Sequence, residues 1–282
     1  MKKYFHLLLA STLLLLSSCA HLMHLDRAQN TFNQGAELEN KLKFSPQSEV
    51  AASPESFYAM AYAEVKNALK QESQLKEDQL LGNAYTIKAL CEWKLKKYDD
   101  AIKTADDAVG SFLQMESNGI RMPRDKAVME ALPFIIQIDK SREHFLDLPP
   151  PEKSSFADAQ SHYLAVIADP DSLDKAETLI HAINQLEAAR QNVKHNYELS
   201  TYFLLSELAA LKAWSDCNGY LSDCIAKGKA FSNTDERKKA VKFFTDQDKA
   251  FVSKKDSLMI DLGKILPDGE ENVLYKYWKI VM

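Results

Sequence analysis

His21 and His24 stand three residues apart, a spacing at which two imidazoles on one helical face can share a metal ion. Two ligands without a third make a poor site, so the pair reads instead as part of a short tether, Ala20 to His24. Asp139, Arg142, Glu143 and His144 lie on one helical stretch in a mixture suited to proton transfer. The same mixture coats any solvated helix face, which is the simpler account. Tyr58, Tyr62, Tyr85 and Trp93 come from adjacent predicted helices and are candidates for holding a partner. Large aromatics at helical spacing also fill interiors, and both readings remain open at the level of sequence. No segment carries a phosphate loop, a Gly-x-Ser-x-Gly elbow, a His-Glu-x-x-His zinc helix or a Cys-x-x-Cys redox pair. With only 8 glycines there is also little material for tight cofactor cradles. The reading assigns no catalytic residue, no metal ligand and no cofactor, and expects a chain that is not an enzyme.

Cys19 is the residue with the clearest chemistry. Lys2 and Lys3 form a positive start, the apolar run from Leu7 to Leu16 is too short to span a bilayer, and Leu16, Ser17 and Ser18 lead into Cys19. This resembles the lipobox of bacterial lipoproteins: leucine, a small or aliphatic residue, a small residue, then cysteine. The resemblance implies a signal peptide over residues 1–18, export, attachment of diacylglycerol to the Cys19 sulfur, cleavage before Cys19, and acylation (palmitate) of the new N-terminus. By resemblance to lipoproteins with two membranes to choose from, Ala20 in place of an aspartate implies forwarding to the outer membrane, facing the periplasm. Export also implies an oxidising compartment, where three cysteines remain once Cys19 is acylated. In that setting Cys217 and Cys224 are expected to form a disulfide across a turn at Asn218-Gly219, and Cys91, among Ala89, Leu90 and Trp93, to stay a reduced core thiol.

The formal net charge is −5, and loss of Lys2 and Lys3 with a signal peptide makes the remainder more acidic. Such a balance argues against a nucleic-acid partner and against a polybasic grip on lipid, leaving the acyl anchor as the expected membrane contact. Scarce glycine, abundant Ala, Leu, Lys and Glu, and the near absence of strand-like alternation predict an all-α protein.

The elements follow from periodicity and punctuation. Leu25, Ala28, Phe32, Ala36 and Leu42 mark a first helix, ended by Ser45-Pro46-Gln47-Ser48. Ser53-Pro54-Glu55 has the N-cap, first-turn proline and acid that open a second, with Tyr58, Ala61, Val65, Ala68 and Leu69 on one face. Asp78 and Asp99 are expected to cap a third and a fourth, Ser117-Asn118-Gly119 to end the latter, and Pro133 to kink or divide the helix after Pro123. Helices are expected over Phe156–Ala168, Leu173–Val193 and Tyr197–Trp214, with breaks at Asp169-Pro170-Asp171 and His195-Asn196. Then come a break at Asn218-Gly219, a segment from Leu221 to Phe231, a long helix from Asn233-Thr234-Asp235 and a last one from Val273 to Val281. The expected organisation is a tether over 19–24, an N-terminal half over 25–148, a proline-rich linker over 149–154 around Pro149-Pro150-Pro151, and a C-terminal half over 155–282.

Leu81-Gly82-Asn83-Ala84-Tyr85 resembles the first-helix signature of a tetratricopeptide repeat, and Ala101, Ala105 and Ala108 approximate its second-helix alanines. The two halves stand about seven residues further apart than in the family, roughly two helical turns, so that Ala89 takes up the face that Gly82 begins. The resemblance covers about a third of the chain. It implies antiparallel helical hairpins stacked as a tetratricopeptide-like α-solenoid, with Gly82, Ala89, Ala101 and Ala108 at a close helix crossing. Taken with the lipobox, it further implies a lipid-anchored, non-catalytic scaffold or adaptor of the cell envelope that binds a protein or peptide partner. The alternative is a solute-handling lipoprotein similar to the tetratricopeptide component of tripartite periplasmic transporters, for which a deep apolar cavity would speak.

Overall fold

The computed structural model describes residues 19–44, 52–146, 148–167, 178–227 and 234–282. The expected signal peptide, the stop at Ser45–Ser48, the break at Asp169-Pro170-Asp171, the start at Leu173, and the region from Phe231 to Asn233 lie outside them. The described residues are helix and turn throughout: α1 (Ala20–Phe44), α2 (Pro54–Leu69), α3 (Glu72–Glu77), α4 (Leu81–Lys94), α5 (Tyr98–Ser117), α6 (Pro123–Leu146), α7 (Phe156–Ile167), α8 (Leu179–Asn192), α9 (Tyr197–Lys227), α10 (Thr234–Ile265) and α11 (Val273–Val281). Short 3₁₀ turns stand at Pro151–Lys153 and Gly269–Glu271. The chain divides into two compact units, Met1–Pro133 and Phe134–Met282.

In the first unit α1 packs on α2, α2 on α4, and α4 on α5. Ser53 caps α2 by accepting from the Ser56 amide, with Pro54 at the first helical position. Leu25 and Ala28 of α1, Ala61, Val65 and Ala68 of α2, Leu75 of α3, and Ala84, Ile87 and Cys91 of α4 form one buried cluster. Small residues dominate it because they let the helix axes approach closely. Gly82 takes this furthest: a Cβ added there would lie 2.6 Å from Cε1 of Phe112, so the ring of α5 rests on the bare backbone of α4. Ala89, Ala101 and Ala108 are fully buried in the same unit.

Three turns of this unit share one construction. After α4, the Lys97 amide donates to the Glu92 carbonyl and the Lys96 amide to Trp93, closing a Schellman motif with Lys96 at φ 59°. Gln79 at φ 61° does the same after α3, and Gly119 at φ 86° after α5. Asp78 therefore does not open α4 as the sequence led one to expect. It ends α3, while the residue before α4 is Leu80, which offers no side-chain cap. Asp99 likewise lies inside the first turn of α5, preceded by Lys97.

The second unit is organised on α9, against which α7, α8, α10 and the 3₁₀ turn Pro151–Lys153 pack. Three expectations need correction here. Asn218-Gly219 does not break the helix, which runs unbroken from Tyr197 to Lys227. The Asn218 side chain is buried and its Oδ1 accepts from the Tyr163 hydroxyl at 2.8 Å, while Tyr163 in turn accepts from Trp214 Nε1 at 2.7 Å. Tertiary hydrogen bonding thus overrides the turn preference of asparagine, and Gly219 faces open space. The disulfide Cys217–Cys224 falls with the turn. Seven helical steps hold the two Cα atoms about 10.5 Å apart, beyond the limit of about 7 Å for a bridge, and both are buried outside any disulfide. Finally, the prolines at 149–151 are not the boundary. The Tyr220 hydroxyl donates to the Pro149 carbonyl at 3.0 Å and lies 3.0 Å from Ser154 Oγ, tying that segment to α9. The division falls earlier, at Pro133 within α6, a helix that runs on through the proline.

Candidate functional site

Cys19 is exposed, and its carbonyl accepts from the Met23 amide at 3.1 Å, the first hydrogen bond of α1. Helix therefore begins at Ala20, and the expected tether over 19–24 is instead the start of α1. His21, only 2% exposed, donates from Nε2 to Asp78 Oδ2 at 2.6 Å. One turn on, His24 donates from Nδ1 to Glu64 Oε2, also at 2.6 Å. The two histidines thus engage different carboxylates on different elements, and Asp78, expected as a cap, becomes a partner of α1. Sequence reasoning missed this pairing because it joins residues 57 and 40 positions apart.

The four candidate aromatics meet different fates. Tyr58 is 2% exposed: its ring packs, tilted, at 5.2 Å from that of Phe32 and lies over Gly35, and its hydroxyl donates to Glu39. It is closed into the α1–α2 interface, which removes it from the set available to a partner. Burial and the neighbouring Glu39 carboxylate push its phenol far up. Burial alone would raise Glu39, but the hydrogen bonds from Lys94 (2.9 Å) and Tyr58 outweigh it and hold the carboxyl below its usual value.

Tyr62 and Trp93 are half-buried on neighbouring helices and carry lysines on their rings. Lys97 Nζ lies 4.4 Å and Lys66 Nζ 5.3 Å from the Tyr62 centroid, and Lys94 Nζ is 4.4 Å from that of Trp93. Such ammonium–ring contacts contribute about 0.5–1 kcal/mol each where solvent reaches them. Beneath Tyr62 lies Glu92, 1% exposed, whose Oε1 accepts from the Tyr62 hydroxyl at 3.2 Å and from Lys88 at 2.8 Å. Lys88 also donates to Thr104 of α5 at 2.6 Å. Glu92 Oε2 is buried with no hydrogen-bond partner among the described residues. Burial first, then Glu92, raises the Tyr62 phenol. Tyr85 stands apart, with its hydroxyl raised by burial and by Glu72.

The structure thus gathers Lys66, Lys97, Lys88 and Glu92 around Tyr62, and sets Lys94 on Trp93, its ammonium also paired with Glu39 at 2.9 Å. The lysines were not singled out in the sequence, although Tyr62/Lys66 and Lys88/Glu92 stand four residues apart, as same-face helical neighbours do. A separate pocket of about 130 Å³ lies between Lys76, Gln79, Ser111, Gln114 and Asn118, with Leu81, Met115 and Ile120 among its apolar walls. In the second unit His144 sets its ring 5.9 Å from that of His162. Among the described residues no group of three His, Cys, Asp or Glu side chains is placed to hold a metal ion, and no helix is long and apolar enough to cross a membrane.

The burial that closes Tyr58 away also keeps the thiols quiet: desolvation pushes Cys91 up to about 12 and raises Cys217 and Cys224 as well. No protein family, no curated protein and no solved structure matches the chain.

Proposed function

We propose that this is a lipid-anchored, non-catalytic adaptor of the bacterial cell envelope, with a tetratricopeptide-like first unit that holds a protein or peptide partner. The observation that carries the reading is Leu16-Ser17-Ser18-Cys19 set directly before a helical body. The Gly82–Phe112 approach supports kinship with tetratricopeptide hairpins, whose glycine serves the same close crossing. For the partner, the Tyr62–Trp93 face offers half-exposed rings and ammonium groups suited to an extended segment bearing carboxylates. The small pocket near Lys76, with its mixed lining, lends no support to an apolar-solute carrier.

Fractionation of cells carrying Cys19→Ser tests the anchor: the variant is expected to leave the membrane fraction. Its retention there at wild-type level, resistant to carbonate and salt, would overturn the reading. A photo-crosslinker at Trp93 is expected to trap one defined envelope protein, and the charge-reversed Lys97→Glu to abolish that product; trapping unchanged by the reversal counts against this face.

A further inference from the structure

Lipid attached at Cys19 would sit on the first residue of a docked helix, with no slack between anchor and body. Three observations define the consequence. First, α1 starts at Ala20 and Cys19 already accepts its first hydrogen bond, so neither a glycine nor a loop separates the two. Second, the opening turns of α1 are locked down by His21 on Asp78 and His24 on Glu64, with Leu25 and Ala28 buried behind them. Third, Leu22 and Met23, which follow Cys19 at the helical spacings of three and four and share its side of the helix, are 37% and 51% exposed.

We propose that Leu22 and Met23 seat in the bilayer interface beside the acylated Cys19, so that the first unit stands on the membrane in a fixed orientation instead of swinging on a tether. This rests on the reading of Cys19 as the site of lipid attachment. At about 1.5 Å per residue, Leu22 and Met23 lie no more than about 4.5 and 6 Å along the helix from Cys19, within the roughly 5–10 Å over which interfacial helices bury their apolar faces, whatever the tilt. Asp26 and Arg27, both exposed, follow at about 10 Å and mark the return to water. The antiparallel register of His24 on Glu64 and Phe32 beside Tyr58 brings the C-terminal end of α2, with exposed Lys70, to the same level, where a lysine meets lipid phosphates. The occupant of this exposed apolar turn is therefore a lipid surface.

The test uses the full-length lipidated protein in phosphatidylethanolamine–phosphatidylglycerol vesicles. A polarity-sensitive fluorophore is placed by Met23→Cys or, as the control about 10 Å further along α1, by Asn30→Cys; Cys91, Cys217 and Cys224 are buried and escape the label. The label at 23 is expected to be blue-shifted and several-fold less quenched by aqueous iodide than the label at 30. Insertion of a flexible Gly-Ser segment between Cys19 and Ala20 is expected to abolish the difference while the protein stays on the vesicles. Acylated protein whose label at 23 is as accessible as that at 30 would overturn this inference alone. Protein whose intact mass lacks acyl chains, and whose Cys19 takes the label, would overturn both it and the reading beneath it.

Discussion

Gly82→Ala opposes two effects of known sign. Alanine favours helix over glycine by up to about 1 kcal/mol, and by less at the second position of α4, where the first turn is only partly constrained. Against this, the new Cβ would lie 2.6, 2.8 and 3.0 Å from three atoms of the Phe112 ring, which is itself 1% exposed and so has little room to retreat. Overpacking of this kind costs about 1–3 kcal/mol. The clash should win, leaving a net loss of about 1–2 kcal/mol. In a Phe112→Leu background the ring is gone, and the same substitution should become neutral or slightly stabilising, a coupling of about 2 kcal/mol between the two sites. Urea unfolding followed by circular dichroism measures the four corners of the cycle, and hydrogen exchange at α4 and α5 amides confines the effect to the first unit. Strict additivity of the two substitutions, or a rise in stability on Gly82→Ala alone, would refute the close crossing.

Four further outcomes are expected. Native protein should expose no thiol of the Cys91, Cys217 and Cys224 set, and unfolding without reductant should release three; a single reactive thiol in that set would restore the Cys217–Cys224 bridge. Lys96→Gly should raise stability by about 1 kcal/mol, because a non-glycine residue is held there at φ 59°; an unchanged urea midpoint would count against that geometry. Asn218→Leu should destabilise by about 1–3 kcal/mol by leaving the buried Tyr163 hydroxyl without its acceptor, whereas a turn at that position would lose little. Burial raises Glu207 from 4.5 to about 7, outweighing its hydrogen bond with Arg190. With the folded-state value raised above the unfolded one, the stability that this group contributes is fully present below about 4.5 and is lost as pH rises through about 7. Glu207→Gln should flatten that decline in a pH series of urea midpoints, and an identical slope in the variant would exclude Glu207 as its source.

How much of this was legible in the sequence depended on the range of the interaction. The buried stripe Tyr58, Ala61, Val65, Ala68 is a matter of local period, and Ser53-Pro54 of local capping, so both could be read directly. Turns at Gln79 and Lys96 could not, since each puts an ordinary side chain where glycine is the usual signal of a left-handed stop. Asn218-Gly219 misled in the opposite direction: its turn chemistry is overridden by a hydrogen bond from Tyr163, 55 residues away. At the aromatic face the rings were visible as candidates, but only packing could separate Tyr58, sealed by Phe32 and Glu39, from Tyr62 and Trp93. The histidines near Cys19 looked like a tether because their carboxylate partners sit on α2 and at the end of α3, out of reach of any spacing rule.

On the function proposed above, lipid on Cys19 holds the chain to a membrane. Intact-mass and N-terminal peptide mass spectrometry of the protein extracted from bacterial membranes tests it most directly. The expected species is a chain that begins at Cys19 and carries a diacylglyceryl group on its sulfur and an acyl chain on its amine. A mature N-terminus elsewhere, or an unmodified Cys19 thiol in membrane-extracted protein, would contradict it.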